Sequence, residues 1–579
     1  MKHETHAFDL CVVGGGMSGL CAALAAARRG ARTALVHDRP VLGGNASSEI
    51  RMHICGADVH NRRPNLRETG ILEEIRLEHL RHNRQQSYSV WDAILYDKAA
   101  REPNLALFLN ATCLAARREG PRVASVDAWQ LTTETRHTVQ ARLFADCSGD
   151  GILAPLTGAD HRIGREARAE YGESIAPERA DARTMGLTCL FEARDTGAPA
   201  PFDPPPWAHR YDRCEDLPYG ADGHAWFGSG YWWVELGGEY DSIHDTERLR
   251  HELLRIVFGV WDHIKNRGDH GAANWALDWI GFLPGKRESR RYLGDHVLTQ
   301  GDVEAGGRFP DLVAYGGWHM DDHHPAGFGA ARLGAPATVF HPAPSPYGIP
   351  YRALYSRNVE NLFCGGRCLS ASHAAMSSTR VMGTCAAIGE AIGAAAALAV
   401  RHGLDPRGAG GRIAELQQDL IAHDVFLPGL PQRFPEATVA ATLTASHGDP
   451  APLRDGFSRP IGSALHAWEG PVGASVTCAW PSPRPLRACA LVFDSSLDEN
   501  IAFSHMGAHA RLTDVPRRMV RAFRIETRRG GRWTPAAAVD GHYQRFVRVP
   551  LDAVADGVRA TFDATWGADA VRLFAFWIE

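Results

Sequence analysis

Asp9-Leu10-Cys11-Val12-Val13-Gly14-Gly15-Gly16-Met17-Ser18-Gly19 runs an apolar stretch straight into a glycine cluster. Leu10 to Val13 reads as a buried strand, and the Ala-rich segment from Leu20 to Arg29 has helical character. Thr33-Ala34-Leu35-Val36 supplies the next strand. Strand, Gly-x-Gly-x-x-Gly, helix and strand in this order form a dinucleotide-binding βαβ unit. Gly14 allows the tight turn, Gly16 lets the backbone approach a pyrophosphate, and Gly19 lets the helix pack closely on the strand. Met17 and Ser18 stand where the helix begins, so unpaired N–H groups and a positive dipole end face the phosphates. The bland alternative is a chance cluster in a chain with 59 glycines. The flanking strands and helix argue against it.

The end of the second strand departs from the pattern. An Asp or Glu there would hold the ribose hydroxyls, but Val36 is followed by His37 and Asp38. Register favours His37, acting through an unprotonated ring nitrogen, with Asp38 as the substitute. Arg39-Pro40-Val41-Leu42-Gly43-Gly44-Asn45-Ala46-Ser47-Ser48-Glu49-Ile50-Arg51 comes next. Gly43, Gly44, Asn45, Ser47, Ser48 and Arg51 suit a loop lying against a cofactor, with N–H and hydroxyl donors for phosphate or sugar.

At 579 residues the chain is too long for one core, so two or more domains are expected. A net charge of −5 does not suggest a nucleic-acid surface. The first apolar run is already the nucleotide-binding strand, so no signal peptide is expected. No membrane span is expected either, because Gly389, Glu390 and Gly393 break the Ala-rich run near residue 386. The 12 cysteines are scattered, with no C-x-x-C pair and no zinc spacing, which suits reduced thiols in a cytoplasm and no metal.

The second glycine loop carries a family resemblance. With Gly43-Gly44-Asn45-Ala46-Ser47-Ser48-Glu49 and Met52-His53-Ile54-Cys55-Gly56-Ala57-Asp58, the chain resembles the FAD-dependent oxidoreductases of the glutathione-reductase-like superfamily, which have two dinucleotide-binding folds. More narrowly, it resembles a bacterial FAD-dependent oxidoreductase family marked by Gly-Gly-Asn-Ala-Ser-Ser-Glu and His-x-Cys-Gly-Ala. The resemblance implies an FAD cofactor. It also implies that Leu143-Phe144-Ala145-Asp146-Cys147-Ser148-Gly149-Asp150-Gly151 is the strand returning beneath the first glycine loop, with Asp146 and Gly149 at the cofactor. Glu360-Asn361-Leu362-Phe363-Cys364-Gly365-Gly366-Arg367 becomes a short strand ending near the flavin. Relatives place an Asp on the ribitol where Arg367 stands here. Ser377-Ser378-Thr379 offers capping hydroxyls, and the resemblance sets Ser378, Thr379 and the helix after them at the flavin pyrimidine edge. A positive helix end would stabilise reduced flavin there. An ordinary packing helix is the alternative.

Between the flavin-binding parts lies an insertion expected to face the substrate. Thr246 to Asn266 has apolar residues at helical spacing and reads as core, and Tyr231 to Leu236 reads as an aromatic strand. Gly285-Lys286-Arg287-Glu288-Ser289-Arg290-Arg291-Tyr292 concentrates cations, and the resembling family carries a similar run. A solvated charge run is the default reading. Arg290 or Arg291 facing the flavin would fit a carboxylate or polyhydroxyl substrate. Tyr315 to Pro325 gathers His319, Asp321, Asp322, His323 and His324. A substrate-pocket loop is preferred there, before a plain polar loop and a metal site. His319 and His323 are the acid–base candidates, with His373 a third, close after Arg367. His53, Cys55, Cys364 and Cys368 lie in flavin-side stretches, but no redox-disulfide spacing follows the first glycine loop. Small buried thiols are the simpler reading.

From Ala437 onward, short alternating runs between turns suggest a β-sandwich. Its last run, Val571 to Trp577, resembles the closing strand of galactose-binding-like jelly rolls. The expected architecture is α/β. Residues 1–160 and 345–430 form a Rossmann-like FAD-binding domain, 161–344 an inserted substrate domain, and 437–579 a jelly-roll-like domain that packs, dimerises or touches sugar. The expected activity is hydride transfer between a small polar substrate, carbohydrate or uronate-like, and flavin N5. The electron acceptor stays open. The rivals are a lyase or isomerase using FAD without net redox change, and a carbohydrate-binding module with a vestigial flavin site.

Overall fold

The computed structural model describes residues 1–224, 230–504 and 511–579. The chain forms two compact units. One comprises Met1–Ala57, Tyr88–Ile413 and residues 502–504; the other comprises Asp58–Ser87, Ala414–Ile501 and Arg511–Glu579. The division differs from the expected domains in two ways. Residues 58–87, expected within the FAD-binding domain, group with the C-terminal unit. The helix Ile413–Ala422, inside the range 345–430 expected for the FAD-binding domain, lies almost wholly in that unit as well. Residues 161–344 stay within the first unit.

The first unit is mixed α/β. Strand β1 (Lys2–Val13), helix α1 (Met17–Arg28) and strand β2 (Thr33–Val36) follow one another as expected. Four further strands, β3 (Leu105–Phe108), β4 (Ala111–Glu119), β5 (Arg122–Gln130) and β6 (Thr135–Asp146), extend the sheet in the order β3-β2-β1-β6-β5-β4. Strand β7 (Leu362–Cys364) pairs with the C-terminal end of β6. The pairs β1–β2, β1–β6, β2–β3 and β6–β7 are parallel, whereas β4–β5–β6 is antiparallel. The C-terminal ends of β1 and β6 and the whole of β2 and β7 are buried on both faces, because helices cover the sheet there.

Two small-residue helices press together above that sheet. Helix α2 spans Met382–His402. A Cβ added to Gly389 would sit 2.0 Å from the Ser18 carbonyl oxygen, and one on Gly393 would sit 2.2 Å from that of Ala22. The two glycines expected to break the apolar run are therefore where α2 meets α1. The helix is long and apolar enough to cross a membrane, with a mean hydropathy of 1.6, but 94 % of that window is buried.

The insertion contains the long helix Thr246–Asn266, packed on a cluster that includes Leu187, Phe191, Trp233 and Val260. Small antiparallel sheets accompany it. Of the expected aromatic strand, Glu235–Leu236 alone is extended in a ladder. The His/Asp-rich stretch is not a loop, since Leu312–Gly316 and Met320–His323 are both strands.

In the second unit, seven antiparallel strands form one sheet, among them Ser475–Phe493 and Phe546–Thr565. Ser475–Phe493 is one long strand, and its register against Phe546–Thr565 shifts twice along its length. Alternation along it sends Cys489, Leu491 and Phe493 into one apolar cluster and Ala490 and Val492 into another.

Candidate functional site

A cleft of about 370 Å³ opens at the C-terminal ends of the parallel strands, where ligands enter folds of this kind. It is lined by Gly14 to Ser18, His37 to Arg39, Gly43 to Asn45, Cys147 to Asp150, Gly366, Arg367, Arg380 and Met382. Of the expected cofactor residues, Gly14, Gly16, Met17, Ser18, His37, Asp38, Gly43, Gly44, Asn45, Gly149, Gly366 and Arg367 therefore share one surface.

Each glycine of the first loop has its own reason. Gly14 takes φ +100°, and an added Cβ would lie 2.5 Å from the Cys147 carbonyl oxygen. At Gly19 an added Cβ would lie 1.8 Å from the Gly14 carbonyl oxygen, so the helix closes on the turn without room for a methyl. Gly16 is different. Its φ is −64°, which any L residue adopts, and an added Cβ would meet only the Gly44 Cα, at 3.9 Å. The protein does not fill the space above Gly16, and the first-turn N–H groups of α1 point there without intrahelical acceptors. That is a cradle for an anion. The second loop supports it: the Gly43 N–H donates to the Gly15 carbonyl at 2.8 Å.

The structure corrects several expected contacts. His37 is buried, its Nδ1 accepts from the Gly15 N–H at 3.0 Å, and its Nε2 lies 3.0 Å from the Val41 carbonyl. Burial, aided by Arg39, pushes its pKa down to about 4, so the ring is neutral with both nitrogens engaged. It shapes the glycine loop, and Asp38, 60 % exposed, lines the cleft beside it. Asp146 is fully buried and accepts from the Ser148 hydroxyl at 2.7 Å, the Leu153 N–H at 2.7 Å and the Tyr292 hydroxyl at 2.7 Å. It ties the strand end to the next turn and does not reach the cleft. Ser47 is buried with its hydroxyl on the Gly44 carbonyl, and the Ser48 N–H donates to Asp92. Arg51 pairs with Glu192 and stacks over Tyr88 and Trp279. Those three brace the loop from behind. Ser378 and Thr379 end a separate helix, His373–Thr379, and the Ser378 hydroxyl donates to the Trp318 carbonyl at 2.6 Å. The helix that reaches the cleft is α2, through Met382 and Cys385.

A side chamber of about 60 Å³ adjoins the cleft. Lys286, Arg287, Arg367 and Arg380 line it together with Trp232, Thr188 and Met52, and no carboxylate does. Two chains of acid and imidazole lie behind these cations. Arg380 meets Asp321 at 3.1 Å, Asp321 meets His323 Nε2 at 3.2 Å, His323 Nδ1 meets Glu235 at 2.6 Å, and Glu235 meets Arg287 at 3.4 Å. Burial would raise the Asp321 carboxyl, but His323, Arg380 and Arg287 hold it far below the usual range. In the second chain, His373 lies between Glu288 at 2.9 Å and Asp322 at 3.2 Å. Burial disfavours its cation, yet Glu288 and Asp322 push its pKa up to about 10. On the cleft side, Lys286 meets Asp150 at 2.6 Å. Burial raises the Asp150 carboxyl, and Lys286 and Arg367 more than offset that.

None of the expected acid–base histidines lines the chamber. His323 and His373 are held between carboxylates, and His319 packs edge-on against Trp318 and Phe340. Arg291 is buried on Glu166 at 3.0 Å and the Ala371 carbonyl at 3.0 Å, while Arg290 reaches the Asp150 carbonyl at 3.2 Å. The cations at the chamber are instead Lys286 and Arg287 of the same run, with Arg367 and Arg380. The signal was within reach: the strand Gly285–Lys286 carries the first cation of the run to the cleft, and Arg380 is a lone cation between two small-residue helices. Cys364 and Cys368 are free and fully buried, which raises both thiols well above the ordinary range. His53 and Cys55 sit 3.3 Å apart outside the cleft lining.

Residues 9–420 match a family model described as FAD dependent oxidoreductase. No curated protein matches the chain. Among solved structures, the chain is similar to a family 32 carbohydrate-binding module from Streptococcus pneumoniae EndoD, at 16 % identity and TM-score 0.19 over 24 % of this chain and 94 % of that one. It is also similar to L-proline dehydrogenase from P. horikoshii, at 15 % identity and TM-score 0.17 over 26 % of this chain and 24 % of that one. At such scores neither likeness bears on a substrate.

Proposed function

The chain belongs to the FAD dependent oxidoreductase family, and from that premise we propose that it oxidises or reduces a small anionic substrate, a carboxylate of the uronate or organic-acid class, held in the side chamber. FAD is the cofactor, and when bound it supplies a two-electron hydride acceptor or donor. Gly16, the first turn of α1 and the Gly43-Gly44 loop would hold its pyrophosphate, and Asp38 its ribose. The N-terminal end of α2, with Arg380 before it, offers positive charge to the ring.

The chamber wall carries the reading. Four cations and no carboxylate line it. Burial, with Arg380 nearby, holds the Arg287 guanidinium below its usual range even though Glu235 opposes this. A cation disfavoured in this way gains most from an incoming anion. Arg287 presents a planar fork suited to a carboxylate, and Trp232 lines the chamber beside it. The Asp321–His323–Glu235 chain orients Arg287 and Arg380 from behind, so His323 is a positioning residue.

The test is anaerobic addition of uronates, organic acids and neutral polyols to the flavin-loaded protein, read as bleaching of the flavin absorption. Anions should bleach it. Arg287→Gln should raise KM for the bleaching anion about 10- to 100-fold, the worth of one charge-assisted hydrogen bond, and Arg287→Lys should restore part of the loss. Reduction by neutral polyols with no response to anions would overturn the substrate class.

A further inference from the structure

Cys214, His224, His263 and His270 converge in the insertion, and none of them lines the cleft or the chamber. Each offers one donor atom, and the four atoms all lie within 4.8 Å of one another. The Cys214 Sγ is 3.5 Å from His224 Nε2 and 3.6 Å from His263 Nε2. The three imidazoles face one another with centroid separations of 4.9, 4.5 and 4.9 Å, two of the pairs edge to face. We propose that this cluster is a structural zinc site, closed by one thiolate and three imidazoles.

The geometry is that of a tetrahedral ion. With Zn–S near 2.3 Å and Zn–N near 2.0–2.1 Å, tetrahedral angles require S···N separations of about 3.5 Å, which the two measured separations match. One thiolate with three imidazoles is a soft-to-borderline donor set that suits zinc above magnesium or calcium. The outer contacts agree. The His263 Nδ1 lies 3.0 Å from the Tyr211 carbonyl, which fixes the tautomer that leaves Nε2 as an acceptor toward the ion. His270 Nε2 is buried and has no hydrogen-bond partner, as a ligand atom without its ion would be. His224 and His263 are almost wholly buried, and without an ion three imidazoles and a thiol would crowd together with few partners. Four protein donors leave no open position, so the site ties chain segments together and takes no substrate. It would join the turn at Cys214 and the short helical segment Gly220–His224 to the C-terminal end of helix Thr246–Asn266 and the turn after it.

The spacing, C-x9-H-x38-H-x6-H, matches no short zinc motif, which is why the sequence reading expected no metal.

The test uses the full chain, expressed with zinc in the medium and purified without chelator or histidine tag. Elemental analysis should find about one zinc per chain. Cys214→Ser combined with His263→Gln should lose it, whereas Cys478→Ala, a buried cysteine of the other unit, should keep it. Should the double variant fail to fold, the wild type decides. Exchange of its metal for Co2+ should produce tetrahedral ligand-field bands at wavelengths beyond the flavin absorption. Wild-type protein with neither zinc nor cobalt bands overturns the proposal, as does a folded double variant that keeps its zinc. Flavin content, read separately, keeps this outcome independent of the oxidoreductase reading.

Discussion

Replacing Gly16 separates binding from folding in a way no other glycine of the first loop allows. Its backbone is already in a conformation open to any residue, and an added Cβ meets only one atom, at 3.9 Å. Gly→Ala at such a position stabilises by about 0.4–1 kcal/mol through the unfolded chain, and weaker capping by Ala at a helix N-terminus offsets a similar amount. For Gly16→Ala the net change in stability should stay within about 1 kcal/mol. The space the side chain takes, however, is the anion cradle. Gly16→Val should displace the pyrophosphate from two charge-assisted hydrogen bonds, each worth about 1.5–3 kcal/mol. The loss is then about 3–6 kcal/mol, or roughly 10²- to 10⁴-fold in Kd. The assay is titration of apoprotein with FAD, read by quenching of flavin fluorescence, alongside thermal melting of the apo form. Gly19→Ala is the contrast: its Cβ would stand 1.8 Å from the Gly14 carbonyl oxygen, so the apo form itself should be strongly destabilised. A Gly16→Val protein that binds FAD within about threefold of wild type would refute the placement of the cofactor. One that melts like Gly19→Ala would refute the space argument.

Gly389→Ala puts a methyl 2.0 Å from the Ser18 carbonyl oxygen and should lower stability by about 3 kcal/mol or more, whereas Gly411→Ala, with nothing within 4 Å, should stay within about 0.5 kcal/mol in a denaturant melt. His373 gives a pH signature. Its folded pKa is raised from 6.5 to about 10, so its stabilisation is complete below pH 6.5 and drains away as pH rises toward 10, with a ceiling of about 5 kcal/mol. Melts of wild type and His373→Gln should converge across that window, and a constant gap would contradict the charged bridge between Glu288 and Asp322.

How much was legible in the sequence follows the range of the interactions involved. The βαβ unit depends on neighbours a few residues apart: a short apolar run, glycines where the turn and the helix contact demand them, and an Ala-rich helix. The first loop and the boundaries of Thr33–Val36 and Thr246–Asn266 were readable for that reason. The glycine loops rest on the same local chemistry, whereas the FAD assignment rests on the family resemblance those loops carry. Side-chain direction beyond the backbone contact was not readable. His37 stands at the expected register, but its ring turns inward because the Gly15 N–H and the Val41 carbonyl are available there. In the run from Lys286 to Arg291, six residues share one charge pattern, and only their distant partners separate the chamber cations from the buried Arg291. His323 and His373 look alike in sequence to catalytic bases. Carboxylates brought from residues 235, 288, 321 and 322 make them bridges. The Cys214 cluster likewise draws its donors from separate segments of the insertion. By itself the sequence determined the nucleotide-binding unit, because short-range sterics and hydrogen bonding dictate it, and the family resemblance of its glycine loops supplied the cofactor class. Tertiary structure alone decided which charges face the substrate and which face one another, because burial and pairing of charge depend on partners the chain brings together only when folded.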